Sequence, residues 1–134
     1  MAQYLLDTNH LSPLVTQGHQ LRERVLLRVT QGDGFAIAAP ALCEFLFGIQ
    51  RVPRAAANMA EWKRLSVDFG YHDIRRKDAE DAANLQVLLR SQGWQLATID
   101  ALIAIVALRS EAILLTTDRD FTAISGLQQE NWLT

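Results

Sequence analysis

Hydrophobic positions alternate between short runs with strand character and longer stretches with helical spacing. Strands are predicted at residues 4–6, 35–38, within 67–74, at 113–115 and near 127–132. Helices are predicted across most of 11–30 with a break at Gly18, and over 40–49, 54–65, 77–91 and 99–109. This alternation is typical of an α/β protein, because parallel strands are joined through helical crossovers.

The helical stretches carry two further signals. Apolar residues at Leu42, Phe45, Leu46 and Ile49 form one face of the helix that Pro40 opens. The helix over 99–109 is apolar on all sides in its middle, so we expect it to be buried, and Thr98 is its predicted N-cap. The predicted fold is a three-layer α/β domain spanning residues 1–134. Its short parallel sheet of four to five strands has helices on both faces.

Composition excludes several classes of protein. The 134 residues are 49% hydrophobic and 21% charged, which matches a globular domain rather than a disordered chain. The net charge of −2 excludes a strongly basic nucleic-acid coat. One cysteine, Cys43, permits neither an intrachain disulfide nor a cysteine zinc site. The first ten residues lack a secretory signal pattern and no apolar run reaches membrane-spanning length, so a cytoplasmic location is expected.

Four acidic residues lie where predicted strands end or predicted helices begin. Asp7 and Asp118 follow strands directly, whereas Glu44 and Asp100 lie early in helices. Ligands of open α/β sheets bind outside the carboxyl ends of the strands, so these carboxylates are expected at one edge of the sheet. Taken singly, each has a simpler interpretation as a helix cap or a solvated surface residue.

A cluster of four carboxylates requires positive charge, because like charges repel and burial increases the cost. Hard divalent cations such as Mg²⁺ or Mn²⁺ prefer oxygen ligands of this kind. A hydrated cation of this type leaves positions for water and a phosphate oxygen. The pattern therefore predicts metal-assisted hydrolysis of a phosphodiester.

Four segments of the sequence resemble the PIN-domain ribonucleases, and in particular the VapC-like toxins of VapBC toxin–antitoxin pairs. The segments are Tyr-Leu-Leu-Asp-Thr-Asn at 4–9, Pro-Ala-Leu-Cys-Glu-Phe-Leu-Phe-Gly at 40–48, Ile-Asp-Ala-Leu-Ile-Ala at 99–104 and Leu-Thr-Thr-Asp-Arg-Asp-Phe at 115–121. No single segment is specific, but their order and spacing cover essentially the whole chain. One departure is residues 94–97, where the family often has glycine and this chain has Trp-Gln-Leu-Ala.

The resemblance implies specific residue roles. It implies a catalytic quartet, consisting of Asp7, Glu44, Asp100 and Asp118. Asp7 and Asp100 would be the principal ligands of Mg²⁺ or Mn²⁺, and Asp118 would help to hold a second metal or position water. The secondary residues are Thr116, which would assist through its hydroxyl, Asp120, which would anchor its turn, and Asn9.

The resemblance also implies partners. The expected substrate is RNA with an accessible backbone. A small VapB-like antitoxin protein would cover the active site, and its apolar helix would dock near residues 42–49 and 54–65. A homodimer is expected, with no membrane association, and with DNA bound only indirectly through the antitoxin.

Two alternatives remain open from the sequence. A haloacid-dehalogenase-like phosphatase would need a second aspartate two residues after Asp7, where this chain has Asn9, and a suitably placed lysine. The other alternative is a non-catalytic RNA-binding or protein-binding module. Among the remaining residues, Cys43 is interpreted as a small core residue. Trp62 and Trp94 are interpreted as packing residues rather than as base-stacking platforms. The three histidines, His10, His19 and His72, are interpreted as surface or capping residues.

Overall fold

Five parallel strands form a single sheet in the computed structural model, which describes all residues 1–134. The strands are β1 (Gln3–Leu6), β2 (Gly34–Ala38), β3 (Gly70–His72), β4 (Ile113–Leu115) and β5 (Gln129–Glu130). Their order in the sheet is β3-β2-β1-β4-β5, and every pairing is parallel. All five predicted strands are therefore present, and the parallel sheet is confirmed.

Five α-helices accompany the sheet in the three-layer arrangement that the sequence predicts. They are α1 (Gln20–Thr30), α2 (Ala39–Gln50), α3 (Ala55–Leu65), α4 (Arg76–Ser91) and α5 (Thr98–Arg109). Short 3-10 helices occupy Thr8–His10, Ser12–Val15, Ser66–Asp68 and Arg119–Ala123. The predicted break at Gly18 is confirmed, because its φ of 79° is a left-handed conformation that glycine adopts without steric cost.

The centre of the sheet is the centre of the core. Leu5 and Leu6 of β1 and Leu114 and Leu115 of β4 are all fully buried. Helix α5 packs beside them, and none of its residues from Asp100 to Arg109 is exposed. The expectation that α5 is buried on most sides is confirmed. Burial of this kind supplies the main free energy that fixes the end of β1.

Two local predictions are wrong. The N-cap of α5 is Ala97 and not Thr98, which is itself the first helical residue. The Thr98 hydroxyl instead accepts a hydrogen bond from the Gln86 amide of α4 at 3.2 Å, so it contributes to packing between two helices. Cys43 is exposed on α2, because the buried face of that helix is formed by Ala41, Phe45 and Ile49.

The strand order creates a topological switch point at the carboxyl ends of β1 and β4. The chain leaves β1 toward β2 on one side, whereas β4 pairs with β1 on the other side. Open parallel sheets bind their ligands at such a switch point, because the connecting segments diverge there. No helix of the structure combines the length and the apolar character needed to cross a membrane.

Candidate active site

Asp7 lies at the carboxyl end of β1 and is held from several directions. Its backbone N–H donates to the Leu115 carbonyl of β4 at 3.0 Å, which continues the strand pairing. One carboxylate oxygen accepts from the Thr8 N–H at 2.8 Å, and the other accepts from the Thr116 hydroxyl at 2.7 Å. Burial raises the pKa of Asp7, and the Thr116 hydrogen bond offsets part of that rise. This carboxylate therefore caps a 3-10 helix and is also desolvated.

Thr116 joins Asp7 to the loop that follows β4. Its hydroxyl donates to Asp7 and accepts from the Asp118 N–H at 3.0 Å, and the residue is 1% exposed. The Asp118 carboxylate in turn accepts from the Asp120 N–H at 2.8 Å and begins the 3-10 helix Arg119–Ala123. Phe121 is fully buried beneath this turn. The turn is capped by Asp118 and packed on Phe121, and the Asp120 side chain makes no hydrogen bond, so its anchoring role stays a prediction.

Asp100, Asp118 and Asp120 form the tightest carboxylate group in the structure. One oxygen of each lies within 4.8 Å of the others. The pKa of Asp100 is raised to about 6, chiefly by burial and in addition by the negative charges of Asp7, Asp118, Glu44 and Asp120. No side-chain hydrogen bond caps the start of α5, so Asp100 does not have the geometry of an ordinary capping residue.

Glu44 completes the set from the second turn of α2. Its carboxylate accepts a hydrogen bond from the Thr8 hydroxyl at 3.0 Å, which connects it to the residue after Asp7. Its charge contributes to the raised pKa values of both Asp7 and Asp100. All four predicted quartet residues are therefore brought to one end of the sheet, and Asp120 joins them as a fifth carboxylate.

None of these five carboxylates forms an ion pair with a basic side chain. All the arginine and lysine ion pairs of the structure involve other acids, namely Asp33, Glu61, Asp78, Glu80 and Asp81. The cluster is therefore negative and uncompensated by protein groups. An oxygen-only donor set with excess negative charge fits Mg²⁺ or Mn²⁺, and it does not fit a metal that prefers sulfur or imidazole.

Asn9 and His10 form a hydrogen-bonded support behind Asp7. The Asn9 side chain donates to Asp7 at 3.2 Å and its oxygen accepts from the Thr117 N–H at 3.2 Å. His10 lies 2.7 Å from that same oxygen through Nδ1, and its Nε2 accepts from the Trp132 N–H at 3.1 Å. The interpretation of His10 as a surface residue is wrong, since it is fully buried and its pKa is lowered to about 4 by burial. Sequence spacing carries no signal for a partner 122 positions away.

Trp94 also differs from its prediction. Trp62 is buried as expected, with 5% exposure, whereas Trp94 is 38% exposed. The Trp94 indole N–H donates to the Asp120 carbonyl oxygen at 3.1 Å, so its ring lies beside the carboxylate cluster. The unusual sequence at 94–97 is the only signal that singled out this position.

The fold and the site define an α/β domain with a carboxylate cluster at the carboxyl ends of its central strands. A PIN-domain family model matches residues 4–127, and the chain belongs to the PIN-domain family. Because that match runs from β1 to just before β5, it includes all five clustered carboxylates. A search of curated proteins finds no significant sequence match.

Solved structures share this fold. A chain of the VapBC2 complex from Rickettsia felis, bound to a DNA fragment from its promoter, is 23% identical with a TM-score of 0.84, covering 97% of this chain and 98% of that one. A chain of DNA-bound VapBC from Salmonella typhimurium is 22% identical with a TM-score of 0.81, covering 98% and 99%. The sarcin–ricin loop cleaving toxin VapC20 from Mycobacterium tuberculosis is 20% identical with a TM-score of 0.65, covering 92% and 95%. At these identities the similarity establishes the fold.

Proposed function

We propose that this chain is a divalent-cation-dependent endoribonuclease and the toxin of a toxin–antitoxin pair. The observation that carries the proposal is the convergence of five carboxylates without a basic partner, at the switch point where open parallel sheets bind ligands. Such a cluster costs folding free energy, because its charges repel and are partly desolvated. In a hydrolytic site, the same carboxylates would bind the cations that the reaction needs, and the bound cations would offset the repulsion.

The residues have distinct roles in this proposal. Asp7 and Asp100 would be the principal ligands of Mg²⁺ or Mn²⁺, with Asp118 as a further ligand and Glu44 completing the catalytic quartet. The bound cation would lower the pKa of a water molecule and neutralise charge on the scissile phosphate. Thr116 keeps the Asp7 carboxylate oriented, because its hydroxyl bonds both Asp7 and the Asp118 backbone.

Partners of the chain are proposed from the VapBC structures that share the fold. A small VapB-like antitoxin would cover the site with a basic side chain and dock an apolar helix on α2. That surface is an open groove of about 480 Å³ whose apolar lining includes Leu42, Leu46 and Phe47. A homodimer in the cytoplasm, with DNA contacted only through the antitoxin, completes the proposal.

The phosphatase alternative fits these observations less well. Its second aspartate is replaced by Asn9, whose amide is already occupied by Asp7 and Thr117. Of the two lysines, Lys77 is exposed and pairs with Asp81, while Lys63 is exposed on α3. A non-catalytic module on the same fold would have no need for an uncompensated acidic cluster.

The test is cleavage of single-stranded RNA by the purified chain. We expect cleavage with Mg²⁺ or Mn²⁺, none in EDTA, and none from Asp7→Asn or Asp100→Asn. Asp68→Asn is the matched control, because Asp68 is exposed and precedes the start of β3, at the opposite end of the sheet. Equal cleavage in EDTA contradicts the metal mechanism, and growth unaffected by expression of the folded wild-type chain contradicts the toxin role.

A further inference from the structure

Trp94 is the single exposed tryptophan of the chain. Trp62 and Trp132 are 5% and 7% exposed, whereas Trp94 is 38% exposed. An aromatic ring of this size is normally buried, because leaving it in water forfeits its hydrophobic stabilisation. The exposure of the Trp94 ring beside the acidic cluster is therefore unusual for a tryptophan.

The exposed ring is held in a fixed position. Its backbone N–H donates to the Leu89 carbonyl at the end of α4 at 2.9 Å, and its indole N–H donates to the Asp120 carbonyl at 3.1 Å. A ring fixed at both ends loses little conformational entropy when something stacks on it. The same hydrogen bond fixes its place relative to the cluster, because an Asp120 carboxylate oxygen lies within 4.8 Å of those of Asp100 and Asp118.

The surroundings of the ring suit a nucleotide. Trp94 lines a depression of about 270 Å³ together with Arg90, Gly93 and Gln95. This volume is just below the range of about 300–1,000 Å³ for drug-sized ligands, so it suits one base and its ribose. Arg90 supplies a cation for a phosphate, Gln95 supplies an amide for a base edge, and Gly93 leaves the approach free of a side chain.

We propose that Trp94 is a stacking platform for an RNA base adjacent to the scissile phosphate, in a subsite completed by Arg90 and Gln95. The inference rests on the proposed ribonuclease function, and it specifies which part of the substrate Trp94 contacts, namely a base next to the scissile phosphate. Each base has a π-face, so a lone aromatic platform binds single-stranded RNA with little sequence preference. Paired bases are already stacked, and the platform therefore favours unpaired RNA.

The experiment measures binding of a short labelled single-stranded RNA by fluorescence anisotropy. The Asp7→Asn background keeps the RNA intact, and Trp94→Ala and Trp94→Phe are added to it. We expect Trp94→Ala to raise the Kd about tenfold and Trp94→Phe to stay within about threefold of the parent, since phenylalanine retains a stacking face. An RNA of the same length with abasic riboses should bind the parent and Trp94→Ala equally. RNA should also quench the tryptophan fluorescence of the parent, because Trp94 is the accessible indole.

Several results overturn the proposal. If Trp94→Phe is as weak as Trp94→Ala while both remain folded by circular dichroism, the indole N–H merely anchors the Asp120 turn. There is no base platform if Trp94→Ala binds RNA like the parent, or if the parent binds no RNA. The same holds if Trp94→Ala weakens the binding of abasic RNA as much as the binding of RNA with bases. Cleavage by the wild-type chain is assayed separately, so a failure of the ribonuclease proposal is distinguished from a failure of the subsite.

Discussion

Replacing Asp100 with asparagine should stabilise the metal-free protein while removing its activity. The substitution keeps the shape of the side chain and deletes one charge from a cluster of five. A carboxyl pKa raised from 3.8 to about 6 corresponds to about 3 kcal/mol when the group is fully ionised. Asp100 is only partly buried, and solvent screening reduces this to about 1–2 kcal/mol. For a domain of this size the unfolding midpoint should rise by about 3–8 °C.

The pH dependence of this gain has a definite sign. The folded chain holds the Asp100 proton up to about pH 6, whereas the unfolded chain releases it near 3.8. The contribution of Asp100 to folding stability therefore falls as pH rises between those values, and the asparagine variant lacks that contribution. The advantage of Asp100→Asn should be complete at pH 7.5 and about a third as large at pH 4.5. His10 titrates in both proteins, so its contribution cancels in the difference.

The assay is thermal unfolding by circular dichroism in EDTA at the two pH values. Asp68→Asn provides the control, and its midpoint should differ from wild type by less than about 2 °C at both pH values. A lower midpoint for Asp100→Asn at pH 7.5 would show that the carboxylate is a structural cap of α5. An equal gain at pH 4.5 and pH 7.5 would show that charge repulsion is not its source.

Three further substitutions test contacts that stabilise the fold or the site. Arg109→Met leaves the buried Asp78 carboxylate without its partner at 2.8 Å and should cost about 3 kcal/mol in urea unfolding; a loss below about 1 kcal/mol refutes a strong ion pair. Phe121→Ala should cost about 3–5 kcal/mol and abolish RNA cleavage, and a stable, active variant would contradict its anchoring role. In the Asp100→Asn background, the free energy of unfolding should fall from pH 6.5 to pH 4.5, because the pKa of His10 is lowered to about 4 and the unfolded chain binds the proton more readily. Adding His10→Gln should flatten that slope. An unchanged slope would show that His10 is not its source.

The fold could be predicted from sequence because its signals are local. The runs at 4–6, 35–38 and 113–115 are short, apolar and followed by polar residues, and the helices between them keep a helical period. The capping of α5 was harder, because threonine is favoured both at an N-cap and as a partner for other polar side chains. Which role Thr98 takes depends on Gln86, a residue of another helix.

The candidate site could be predicted only as far as strand ends and helix starts determine it. Asp7 and Asp118 follow neighbouring strands, so their proximity follows from the topology. The position of the Asp120 side chain depends on the path of one 3-10 turn, and no sequence period reports that path. His10 is bonded to the backbone of Trp132 and the Trp94 indole to the backbone of Asp120, and both contacts join parts of the chain that are distant in sequence.

The place of β1 in the sheet has a consequence for biosynthesis. This strand is made first, but its neighbour β4 begins at residue 113, and Thr116 and Asp118 are made later still. A nascent chain that has not been extended past residue 118 therefore contains Asp7 but lacks the Thr116 hydroxyl that orients its carboxylate and the Asp118 carboxylate of the same cluster. Under the proposed ribonuclease function, a chain becomes active only after synthesis has passed residue 118, more than 100 residues after Asp7 has been made. An inhibitor translated beforehand would meet each new molecule as its site forms.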